Sequence, residues 1–163
     1  MNIEEGKMMN RSIESHIEEH LSGQMRETAL SFVEYLRACG LSFHRDTGDC
    51  WRDKIYYWVQ HGDECICFIA IADPDEPENR WTVWSDDSPA YEDDSVAEEI
   101  KTVGWRHIGF CGSCGYCGGG QDKIIFGRRF PAVCGCTFRV DNPAQDEIPF
   151  LKKMIDLRLR GQE

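Results

Sequence analysis

The chain has 163 residues and a net charge of −11 with its histidines neutral, a surface that repels phosphate backbones and argues against nucleic-acid binding. At 41% hydrophobic and 29% charged it has ordinary usage for one domain with its own core, and no apolar run nears the ~20 residues a membrane-spanning helix needs. Nine cysteines, an odd count behind a start that holds early glutamates and no apolar h-region, argue against a secreted disulfide scaffold and for a reducing cytoplasm.

Residues 1–11 are polar, lack a period and read as a flexible tail, leaving 12–163 as a single α+β domain. Ser12 is a candidate N-cap for a helix carrying Ile13, Ile17 and Leu21 at four-residue spacing. Ser22-Gly23 interrupts it. A second helix places Met25, Ala29, Phe32, Val33 and Leu36 on one face and stops at Gly40.

The centre reads as an antiparallel β-meander packed with the N-terminal and C-terminal helices. Ile55 to Gln60 forms one strand and Cys65 to Ala72 the next, with a short turn between them. Strict alternation puts Cys65, Cys67, Ile69 and Ile71 on one face and Ile66, Phe68, Ala70 and Ala72 on the other. Both faces are apolar, so this is a central strand with its cysteines buried. Trp81 to Trp84 follows as a third strand.

The acidic loop SDDSPAYEDD lacks the ligand spacing and glycine of a calcium-binding EF-hand. It reads instead as acidic residues gathered before the positive end of a helix from Asp94 or Ser95 to Val103, ended by Gly104. Trp105 to Phe110 then forms a strand leading into the cysteines. KIIFGRRF and VCGCTFRV are further strands. Asn142-Pro143 is a helix start, with Ile148, Leu151, Ile155 and Leu159 inward; Pro149 requires a kink or a later start near Asp146.

His16 and His20 stand one helical turn apart, as in zinc-protease helices, but Ile17 occupies the position where those helices carry glutamate. The pair therefore reads as the flank of the Ile13–Ile17–Leu21 stripe. Trp51, Tyr56, Tyr57, Trp58, Trp81, Trp84, Tyr91 and Trp105 form a dense aromatic set. Tyr56 and Trp58 alternate with Ile55, Tyr57 and Val59, lining one sheet face with rings that pack or bind a flat ligand. No nucleophile elbow, P-loop or dinucleotide fingerprint is present, so the expectation is a non-enzymatic protein.

The strongest signal is CGSCGYCGGGQ. Cys111, Cys114 and Cys117 are spaced C-x2-C-x2-C, and Cys134 and Cys136 follow after a further strand. A two-residue gap lets two thiolates converge on one ion while backbone amides point at the sulfurs. Glycine after four of these five cysteines relieves the tight turns. A zinc ribbon pairs such a knuckle with a second C-x2-C about 15–20 residues on; here the second pair is C-x-C. Four thiolates for zinc are available among the five, with Cys136 an alternative ligand. The same run also suits a [4Fe–4S] cluster, although Gln121 stands where the bacterial ferredoxin run carries its next cysteine.

Residues 111–143 resemble a family of small cysteine-rich bacterial proteins, common among anaerobes. Its members carry a C-x2-C-x2-C run, an IFGK-F-type strand, Val-Cys and an Asn-Pro before the last helix. Here these are CGSCGYC, IIFGRRF, Val133-Cys134 and Asn142-Pro143. The resemblance implies Cys111, Cys114, Cys117 and Cys134 as the ligands and brings no activity with it. The expectation is a structural zinc that orders segment 111–136, beside an aromatic-lined sheet that binds a small molecule or protein partner. A redox protein using the same cysteines for an iron–sulfur cluster or as reactive thiols is the alternative.

Overall fold

The computed structural model describes residues 11–115 and 117–161. Ser12 caps the first helix as expected, its hydroxyl accepting the Ser15 amide hydrogen at 3.2 Å at the start of α1 (Ile13–His20). After α2 (Gly23–Ala38), Gly40 adopts φ 80°, the left-handed conformation that turns the chain away. Residues 1–10 of the expected tail lie outside the described residues. Arg11, assigned to that tail by its polarity, instead holds Glu19 at 2.5 Å, and its carbonyl accepts from the Tyr57 hydroxyl at 3.3 Å.

Seven antiparallel strands form one sheet: β1 (Ser42–Arg45), β2 (Ile55–His61), β3 (Glu64–Ile71), β4 (Trp81–Ser85), β5 (Ile108–Phe110), β6 (Gln121–Ile125) and β7 (Arg128–Asp141). Their order is β1-β2-β3-β4-β7-β5, with β6 also paired to β7. The class is α+β, and β3 is internal, as its two apolar faces require. β1 carries no such signal, since none of its four residues is fully buried.

α1, α2, α3 (Glu98–Arg106) and α4 (Ile148–Arg160) pack on one another and cover one sheet face. Phe32, Leu36, Val59, Ile69, Val83, Val140, Leu151 and Ile155 meet there, each no more than 1% exposed. Among the described residues no helix is long and apolar enough to cross a membrane.

Alternation fails inside β3. Val59 pairs with Cys67 but Gln60 pairs with Cys65, so Ile66 is an extra residue, a β-bulge. Cys65 therefore leaves the face of Cys67 and joins that of Tyr56 and Trp58, half-buried, while Ile66 and Cys67 both enter the helix-covered core.

Glycine and Asn-Pro signals also mislead at three boundaries. Gly104 does not end α3, which runs on to Arg106 and absorbs Trp105. A Cβ at Gly104 would lie 2.6 Å from a Phe126 ring carbon and 2.8 Å from one of Phe150, so this glycine allows close packing. KIIFGRRF is not one strand but a hairpin. Phe126 (φ 52°) and Gly127 (φ 81°) form a two-residue turn with both central residues left-handed. Asn142 caps no helix; its Oδ1 accepts from the amides of Arg80 (2.7 Å) and Trp81 (3.4 Å), tying β7 to the 73–80 loop. α4 starts at Ile148, so Pro149 sits in its first turn, where a missing N–H costs nothing.

Candidate functional site

β5 delivers the chain to Cys111, whose amide donates to the carbonyl of Ala132 on β7 at 2.8 Å. Residues 111–115 then leave the sheet, and 117–120 lead back to β6. Gly120 comes back so close that a Cβ there would lie 2.6 Å from the Cys111 Cβ, so the two ends of the loop are clasped together. Within it, Ser113 (φ 57°) and Gly115 (φ 82°) are left-handed. The Ser113 amide donates to the Cys111 sulfur at 3.4 Å, the amide-to-sulfur bond expected of a cysteine knuckle.

The register Phe110↔Val133 places Gly109 beside Cys134, and a Cβ on Gly109 would lie 3.8 Å from that of Cys134. Cys111, two residues on, stands on that same side of the strand pair, diagonal to Cys134. Cys114 and Cys117 are exposed in the loop; Tyr116 lies outside the described residues.

Cys136 is exposed and donates to the Asp86 carboxylate at 3.7 Å. Burial of its sulfur, with Asp86 and Cys134 adding, pushes its thiol up to about 11. Among the described residues the five clustered cysteines do not gather three sulfurs within 4.8 Å of one another. Segment 111–136 is not a single unit either. β6 and β7 belong to the sheet, and Ile125, Phe126 and Val133 are core residues. Residues 111–115 and 117–120 lack regular structure.

The expected aromatic set divides between the two sheet faces. Tyr57, Trp81 and Tyr91 enter the helix-covered core, and Trp105 leaves the sheet to donate to the Ile125 carbonyl from α3 at 2.9 Å. The opposite face carries a continuous stack. Trp51 lies on Tyr56 at 3.9 Å and 6°, Tyr56 on Trp84 at 5.2 Å, and Trp84 on Phe68 at 5.7 Å. Trp58 meets Phe68 edge-on at 5.5 Å and is 38% exposed.

At one end of this stack Trp51 and Trp84 wall a cavity of about 370 Å³, roofed by the 73–80 loop. Its charges are paired within the rim, two cations against three carboxylates: Lys54 bridges Asp73 (3.3 Å) and Asp75 (2.9 Å), and Arg139 binds Glu76 at 2.8 Å. An aromatic floor under a paired polar rim suits a flat, weakly charged ligand.

The histidines set aside in the sequence come together. The rings of His16 and His20 stack at 6.3 Å, and one ligand atom from each of His16, Glu19 and His20 lies within 4.8 Å of the others. Burial, with Arg45 and Arg11 adding, lowers His16 to about 4.

No family model matches the chain, and neither a curated protein nor a solved structure matches it.

Proposed function

We propose that this chain is a non-enzymatic metal-binding protein: Cys111, Cys114, Cys117 and Cys134 hold a structural zinc ion, and the outer aromatic face of the sheet receives a small molecule or protein partner. The observation that carries the reading is the Ser113 amide directed at the Cys111 sulfur within a loop clasped at both ends. Such a bond partly neutralises a thiolate, and four thiolates are the usual tetrahedral set for structural zinc.

Energetics favour the same reading. The loop 111–120 has few apolar side chains to bury, and ordering each residue costs about 1–2 kcal/mol. Structural zinc binding, worth about 10–16 kcal/mol in small peptides, is of the size needed to offset that cost. Nine unpaired cysteines suit a reducing compartment such as the cytoplasm. The cavity between Trp51 and Trp84 falls within the volume range of small-molecule sites, roughly 300–1,000 Å³.

The test is metal and sulfide analysis of protein purified without oxygen. Colourless protein with about one zinc per chain is the expected result. Brown protein with iron and sulfide replaces zinc by a cluster on the same thiols. Metal-free protein of undiminished thermal stability overturns the metal-binding reading.

A further inference from the structure

We propose a second metal site, independent of the cysteines, in which His16, Glu19 and His20 bind one divalent transition-metal ion of the zinc, cobalt or nickel kind. The three residues lie at i, i+3 and i+4 on α1, the spacing that brings side chains onto one helical face. One ligand atom from each already falls within 4.8 Å of the others, so modest side-chain rotation brings all three onto a single ion.

The second observation is His16 itself. It is 4% exposed, and among the described residues neither Nδ1 nor Nε2 has a hydrogen-bond partner. Buried polar atoms are nearly always satisfied, and a histidine with both ring nitrogens unpartnered is a marked exception. Its surroundings do not supply what is missing. The Tyr57 ring lies 6.2 Å away, and the Tyr57 hydroxyl is committed to the Arg11 carbonyl. An ion bound at one His16 nitrogen satisfies it, and neutral imidazole is the commonest protein ligand for such metals.

The opening is on the other side. The His20 and Glu19 side chains are 32% and 49% exposed, so the ion enters from solvent and a water completes its coordination. Two imidazoles and one carboxylate select a borderline ion over calcium or magnesium, which prefer oxygen ligands throughout. Arg11 now occupies the Glu19 carboxylate at 2.5 Å and must yield it, so this site is weaker than a four-thiolate one.

The full chain is titrated with zinc chloride under reducing, oxygen-free conditions while histidine side-chain nitrogen resonances are recorded. The expected result is a saturable shift of His16 and His20 together, with His44, His61 and His107 unmoved. His20→Ala, at the exposed end, is expected to weaken binding by at least about tenfold, the lower bound for loss of even an outer-shell partner. Glu19→Gln should weaken it less. The readout is imidazole, so it is unaffected by whatever the cysteines hold. Unmoved His16 and His20 signals at zinc well above the protein concentration overturn the site, and so does a His16 shift in His20→Ala that saturates at the same zinc concentration as in the parent protein.

Discussion

The backbone amide of Ser113 points at the sulfur of Cys111 from 3.4 Å, in a loop whose far end, Gly120, returns to the same cysteine. The knuckle is therefore clasped to β5 and β7 at its base, while its other two cysteines are exposed. The core residues Ile125, Phe126 and Val133 hold the β6–β7 hairpin independently of the loop. Cys114→Ser is expected to lose the metal and abolish amide protection within 111–120 only, leaving β6, β7 and the central strand β3 protected. Hydrogen exchange measures this directly, and loss of protection in β3 would show the metal to be part of the main folding core.

The bulge at Ile66 separates two cysteines that alternation would pair. Cys67 is 0% exposed and burial raises its thiol pKa strongly, whereas Cys65 is half-buried and pushed up to about 11 by burial and by Asp86. Thiolate is the reactive form. Site-resolved labelling of the folded protein should modify exposed Cys50 first, Cys65 slowly, and Cys67 only on unfolding. Equal rates at Cys65 and Cys67 would contradict the bulge.

Gly104 tests the packing of α3 on the hairpin. Alanine in a helix interior is favoured over glycine by up to about 1 kcal/mol. Its methyl, however, would lie 2.6 Å and 2.8 Å from the buried rings of Phe126 and Phe150, and overpacking of this kind costs about 1–3 kcal/mol. The clash outweighs the propensity. Gly104→Ala should lower the urea midpoint, and a rise would show that the rings have room to move.

Glu14 on α1 accepts from both Nε and Nη2 of Arg37 on α2, and this guanidinium lowers the Glu14 pKa below its ordinary 4.5. A carboxylate with a depressed folded-state pKa adds stability above its ordinary pKa, and the addition is lost as pH falls through the folded value. The side chains are 32% and 48% exposed, so solvent screens the pair to about 0.2–1 kcal/mol. Arg37→Met should therefore cost that much at neutral pH, and the gap from the parent protein should close on acidification. A cost independent of pH would assign the effect to packing of the arginine stem over Phe43 instead.

Short-range rules were enough for much of this protein. Ser12 and Gly40 bound the first two helices because capping and left-handed turns are local chemistry. The apolar content of residues 65–72 placed β3 inside the sheet, because a strand covered on both sides needs no polar face. The C-x2-C-x2-C run marked the candidate metal segment by spacing alone.

Tertiary contacts decided the rest. Gly104 carries the letter of a helix stop, but its role was set by two phenylalanine rings, one on a later hairpin and one on the last helix. Phe126 has no intrinsic preference for φ 52°. It is held there by the Tyr91 carbonyl, which accepts its amide hydrogen at 2.7 Å, and by burial of its ring. The bulge at Ile66 comes from pairing with β2 and leaves no trace in the alternation of β3 itself.

The same limit hid Glu19 and the isolation of His16. Zinc-protease helices carry glutamate directly after the first histidine, whereas Glu19 stands directly before the second. Whether a buried imidazole has a partner depends on what the rest of the chain brings to it, and the described residues bring none to either ring nitrogen.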